Sequence, residues 1–307
     1  MTKNVTTKLD KLNLVDKFLF DEVMENMECY QNVISILLEN EIELLKKPET
    51  EKELRVSPQL RQVRLDVVSM DIEKKIFYTE MQQNNTGNLI KRSRYYQAQL
   101  DVSLLGPGST DFNLLNDSCF ILIAPFDIFG RGLYRYTFEG ICRECPDLKL
   151  GDGAVRVFIN TKGKNRKDFS QEFLDFMEYI TASTDEIVEN TESMRIRQIH
   201  ENVRKLKASE KMGVKYMQRW EEIAYARQEG RLAGKSEGEI LKLIKLICKK
   251  ICRNKTIEEI AEDLEEEPEA IRSIYESARK FAPDYNFEKI YEDYSTRGCV
   301  LTEKDVQ

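Results

Sequence analysis

The sequence predicts an α/β domain followed by a mostly helical C-terminal extension, and three observations carry that expectation. Apolar residues first recur at three- and four-residue steps, then switch to alternation after Pro58. The short continuous apolar run Phe120–Ala124 has the pattern of a strand buried on both faces. From about Thr184 onward charge rises, helix formers dominate and Gly230, Gly234 and Gly238 sit in a helical context.

Each element follows from its local pattern. Leu14, Phe18, Val23, Met27, Val33, Ile34, Leu37 and Leu38 predict helix across residues 14–45. The polar run between Pro48 and Pro58 reads as a loop. Val63, Leu65 and Val67 alternate with Arg64 and Asp66, and Ile76–Gln82 alternates again after the polar residues 71–75, which together predict a hairpin. Leu89–Leu105, after the Gly87 loop, reads as a helix dense in cations and tyrosines that stops at Gly106-Pro107-Gly108. Tyr134–Phe138 and Val155–Ile159 are further strand candidates, and Phe173–Tyr179 opens a helical region. The coarse order is helix, strand, strand, helix, strand.

Three regions are expected: a domain over 1–183, a charged helical extension or linker over 184–239, and a small helical region over 240–307. In the last, Ile240, Leu243, Ile244, Ile247 and Ile251 form an apolar stripe, and Thr256 with Glu259 has capping-box spacing. Glu267-Pro268 then opens a second short helix, ending near Phe281. The acidic residues between Glu258 and Glu267 would repel phosphates, so this helix pair is expected to serve packing or homo-oligomer formation rather than DNA reading.

Composition narrows the function classes. The chain has 307 residues, 41% of them hydrophobic, which is enough apolar surface for a core and excludes a wholly disordered protein. No apolar run spans a bilayer, and Met1–Asp21 lacks a hydrophobic leader segment, so a soluble, cytoplasmic protein without a membrane partner is expected. The seven cysteines are scattered, and the Cys142/Cys145 pair has no second pair to complete a zinc site; reduced thiols are expected. The single histidine, His200, excludes chemistries that need two, and its charged surroundings mark it as a solvated surface residue. Catalysis here must rest on carboxylates, amides and cations. The net charge is −7, yet residues 51–100 hold nine Lys/Arg against six acids, so a polyanion partner remains compatible with the total.

Asp66 and Glu80 lie on the two arms of the hairpin, with Gln82 on the same face as Glu80 because i and i+2 share a side. A return at 71–75 brings Asp66 opposite Glu80. Two carboxylates meeting at one point repel unless a divalent cation sits between them, and Mg²⁺ with its retained waters suits phosphodiester hydrolysis. Outward-facing strand residues are the plain alternative.

The segments RLDV (64–67), EMQ (80–82) and KRSRYYQ (91–97) resemble the PD-(D/E)XK nuclease superfamily, and more closely the Rpn-type family of recombination-promoting, transposase-like nucleases. The likeness continues through ILIAPFDIFGRG (121–132), YTFE (136–139) and INTKG (159–163), and spans roughly residues 12–240. It implies a restriction-endonuclease-like αβββαβ core and a Mg²⁺- (or Mn²⁺-) dependent DNA endonuclease of a bacterial mobile-element type. By the resemblance Asp66 and Glu80 are metal ligands, and Gln82 stands where the motif has lysine, able to hydrogen-bond but not to supply charge. Lys17 stands where relatives often carry an acid, with Asp16 and Asp21 nearby. Arg92 and Arg94, at the start of the following helix beside Tyr95 and Tyr96, are the candidate phosphate clamp, against a reading as solvated cations. The departures at Lys17 and Gln82 favour an alternative: a catalytically impaired, nuclease-like DNA-binding or assembly protein.

Overall fold

The computed structural model describes residues 9–54, 63–106 and 108–302, the last six as backbone only. The loop expected through Pro58 continues past Leu54 outside these residues; so do Arg55 and Arg61, Pro107 of the expected helix stop, and the first eight residues of the leader reading. The chain divides into two compact units, Met1–Met217 and Gln218–Gln307.

In the first unit the expected opening helix is two: α1 (Lys17–Met24) and α2 (Met27–Leu38). The break has a local cause. The Asn26 side chain accepts from the Cys29 N–H and caps α2, and Glu39, in a left-handed conformation, ends it. The segment read as a loop forms β1 (Glu49–Leu54), which pairs antiparallel with β2 (Val63–Met70). Its polar sequence hid it, because an edge strand buries little; Leu54 is its one buried residue.

β2 pairs antiparallel with β3 (Ile76–Met81), and α3 (Leu89–Leu104) then crosses over to bring β4 (Ser118–Ala124) parallel to β3. β5 (Arg135–Phe138) and β6 (Ala154–Asn160) complete a mixed six-stranded sheet in the order β1-β2-β3-β4-β6-β5. All of β4 is buried, because both sheet faces are covered. Cys119, Ile121 and Ile123 join α2 and α4 (Gln171–Thr181) in the larger core, while Phe120, Leu122 and Ala124 face the smaller core that holds Leu89 and Leu100 of α3.

The helices after residue 183 do not begin a separate region. After α5 (Asp185–Asn190), α6 (Met194–Lys207) places Ile196, Ile199 and Val203 in the larger core. His200 lies on the same face and is only 6% exposed, which corrects its reading as a solvated residue. Its Nδ1 is 3.1 Å from the Tyr179 hydroxyl and its Nε2 is 2.7 Å from Asp185 Oδ1. A buried imidazole with both nitrogens engaged is a structural group.

The division between units falls within α7 (Glu210–Ile251), not at 239/240. Residues 227–238 of this helix are exposed along their whole length. In the second unit, Ile244, Ile247 and Cys248 of α7 pack with α8 (Ile257–Leu264), α9 (Pro268–Lys280) and Ile290 of α10 (Phe287–Thr302). Thr256 and Glu259 form the expected capping box, and Pro268 occupies the first turn of α9. Among the described residues no helix is long and apolar enough to cross a membrane.

Candidate active site

The β2–β3 ladder runs from Met70↔Ile76 to Val67↔Thr79 and stops there. Beyond that point the two carboxylates take over the work of backbone carbonyls. The Asp66 N–H donates to Glu80 Oε1 at 3.2 Å, and the Met81 N–H donates to Asp66 Oδ2 at 3.1 Å. The side-chain alternation of β2 slips at the same place: Val63, Leu65 and Val68 join the core on the α3 side, whereas Val67 joins the other. Opposite, on β1, Glu51 adopts φ 50°. Asp66 and Glu80 are thus held together, 5% and 4% exposed, where the strands stop pairing with each other.

Two cationic side chains, Lys17 and Arg92, approach this pair, and others line the cleft around it. From the first turn of α1, Lys17 Nζ hydrogen-bonds Asp66 Oδ1 and lies 3.3 Å from Asp21 Oδ2, one helical turn further on. Asp16 takes another role, capping α1 through the Phe18 N–H at 3.0 Å. From α3, Arg92 Nη2 hydrogen-bonds Gln82 Oε1 and lies 3.9 Å from Glu80 Oε2, and its guanidinium sits over the Tyr96 ring at 5.6 Å. Arg94 is exposed and lines the same cleft, as does Lys91. Gln82 is therefore tied to Arg92 rather than pointed at the carboxylates, and its Nε2 donates to the Asn84 carbonyl at 3.2 Å. The cleft has a volume of about 990 Å³ and runs from Lys17 across Asp66 and Glu80 to Tyr95 and Tyr96.

The electrostatics follow from the geometry. Burial, and after it the Asp66 charge, push the Glu80 carboxyl up to about 8, although Lys17 and Arg92 pull against the shift. Burial acts to lower Lys17, but Asp66 and Asp21 outweigh it and hold the ammonium above the ordinary lysine value.

Asp66 and Glu80 fit a hard divalent cation in kind: both offer oxygen donors, both are buried, and their mutual repulsion is what such an ion relieves. Among the described residues no group of three or more His, Cys, Asp or Glu side chains has a metal-holding arrangement, so water or substrate oxygens would supply most of the shell. Asp66 Oδ1, moreover, already carries the Lys17 ammonium.

The segments 121–132, 136–139 and 159–163 combine the ends of β4, β5 and β6 with the turns that follow them. Asp127 accepts from the N–H groups of Phe129, Gly130 and Gly132 at 3.0, 2.9 and 2.6 Å, and from the Tyr136 hydroxyl at 2.8 Å. Slight burial would raise its carboxyl, but these four donors hold it below the usual carboxylate range. At Gly163 a Cβ would fall 2.5 Å from the Tyr134 backbone nitrogen, so only glycine fits. Sequence reasoning did not anticipate the Lys17–Asp66 contact; its one local trace is the i,i+4 spacing of Lys17 and Asp21 on α1. No protein-family model matches this chain, no curated protein is detectably similar to it, and no solved structure matches it.

Proposed function

We propose that the first unit is a phosphodiester-binding module of the PD-(D/E)XK nuclease type, acting as a Mg²⁺- (or Mn²⁺-) dependent endodeoxyribonuclease. One observation carries the reading: two buried carboxylates converge at the unpaired end of a hairpin, on the floor of a cleft walled by Lys91, Arg92 and Arg94. Asp66 and Glu80 would hold the ion, which when bound supplies charge stabilisation on the phosphate and a water acidic enough to serve as nucleophile. Arg94 and Lys91 meet backbone phosphates along the cleft wall. Arg92 spans the two functions, holding Gln82 in place while its charge faces Glu80.

Nicking of supercoiled plasmid by the full chain should require Mg²⁺ or Mn²⁺ and should fall about a hundredfold or more in Asp66→Asn and in Glu80→Gln. Either variant cutting at the wild-type rate would remove these carboxylates from the reaction. For binding, Arg94→Ala should weaken duplex affinity and reduce the salt slope by about 0.9, the value of one phosphate contact; Arg92→Ala together with Arg94→Ala should reduce it by up to about 1.8. An unchanged slope moves the nucleic-acid surface elsewhere.

A second reading is favoured by the Lys17 contact with Asp66 and by the absence of charge at Gln82. In it the cleft binds nucleic acid without cutting. Salt-sensitive duplex binding with no metal-dependent nicking would select that reading.

A further inference from the structure

Among the described residues Lys17 is the cation that pairs with Asp66, and its position is specified rather than incidental. It sits in the first turn of α1, whose start is fixed by the Asp16 cap, and α1 is anchored by Phe18, Leu19 and Phe20, none more than 5% exposed. Asp66 has two oxygens, and both are engaged: Oδ2 by the Met81 N–H and Oδ1 by the Lys17 ammonium. Asp21, 3% exposed, holds the same ammonium from the other side.

We propose that Lys17 is a built-in counter-ion that competes with divalent metal for Asp66, so that metal enters this cleft only as the ammonium leaves. The inference rests on Asp66 and Glu80 being a metal site, as proposed above, and adds to it the residue that sets its affinity. The physical argument is one of valence and space. An ammonium at hydrogen-bond distance from Oδ1 would lie within a few ångströms of a divalent ion bound to the same oxygen, where like charges repel strongly in a partly buried site. Lys17 has somewhere to go: its side chain is 31% exposed and lines the open cleft, and a four-carbon stem can swing its head outward while the stem stays on the protein. Arg92 cannot play this part, because it faces Glu80 at 3.9 Å and is also tied to Gln82.

The test is Mn²⁺ binding to the full chain at one fixed pH, read by titration calorimetry, for wild type, Lys17→Met, Lys17→Gln and the double variant Lys17→Met with Asp66→Asn. Removing the ammonium should tighten Mn²⁺ binding at least tenfold, and Asp66→Asn should abolish the gain. Equal affinity in wild type and both Lys17 variants, with Asp66→Asn still weakening it, would leave the metal site standing and overturn the competition. Binding insensitive to Asp66→Asn would overturn the metal site itself and the competition with it. A second measurement needs no variant. Lys17 acetylation by an amine-reactive anhydride, followed by mass spectrometry, should quicken severalfold at saturating Mn²⁺ because the ammonium has moved into the cleft. A rate that is unchanged or slower under those conditions would overturn the proposal even where the variants fail to fold.

Discussion

The thermal midpoint of the first unit should fall as pH rises from about 5 to about 8, and Glu80→Gln should remove most of that slope. The expectation follows from where Glu80 sits. At 4% exposure and beside Asp66, its neutral form is favoured in the folded chain, and its carboxyl is pushed up to about 8. In the unfolded chain the same carboxyl titrates near about 4.3. Between those values the folded state holds a proton that the unfolded state has released, so stability is full below the lower value and is lost as pH climbs towards the upper one. The size is on the order of a few kcal/mol, which for a unit of this length corresponds to a fall of several degrees in the midpoint. Lys17 adds nothing in this window, since a raised ammonium loses its contribution only above the ordinary lysine value. The Cys29 and Cys119 thiols, raised to about 11 by burial, also act above it. Glu80→Gln keeps an oxygen to accept the Asp66 N–H and cannot ionise, so the variant should melt higher than wild type near pH 8. Calorimetric melts at matched ionic strength decide the matter: an undiminished slope in the variant places the responsible group elsewhere.

The parts of this arrangement that were legible in the sequence are those governed by local periodicity. Alternation at Val63–Val67 and Ile76–Gln82 marked the hairpin, and its return at 71–75 set Asp66 opposite Glu80. The FILIA run marked a central strand because covering both faces of a sheet leaves no polar position. What escaped is what depends on distant neighbours. β1 is polar because only one of its edges is paired, so its sequence resembles a loop. Lys17 and Asp66 are 49 positions apart, and nothing in either segment announces the contact. His200 looked solvated because Arg195, Arg197, Glu201 and Arg204 surround it in sequence; helical geometry turns it with Ile196, Ile199 and Val203 instead. Average charge concealed a narrow but complete apolar stripe.

That stripe makes the position of the domain end testable. A chain ending after Ser183 should fail to unfold cooperatively, whereas one ending after Ala226 should keep the transition of the first unit. Cutting at 183 removes Ile196, Ile199 and Val203, all at most 1% exposed and all part of the larger core. At roughly 2 kcal/mol for each buried aliphatic side chain, their loss alone approaches the roughly 5–15 kcal/mol that holds an ordinary domain together. The polar costs add to it. Tyr179 loses His200, Asn32 loses Gln198 at 2.9 Å, and Asp175 loses the Thr191 hydroxyl at 2.6 Å. Each leaves a buried or half-buried group without its partner. A chain ending at Ala226 keeps α6 whole and retains Met212 against Leu9 and Phe18, together with the Lys215–Glu22 ion pair. It surrenders only a helical stretch whose residues from Arg227 to Gly238 are exposed, and the separate core built on Ile244 and Ile247. Urea titrations followed by far-ultraviolet circular dichroism separate the outcomes. A cooperative transition in the shorter chain would show that α6 merely decorates the larger core. Its loss in the longer one would show that residues beyond Ala226 contribute to that core.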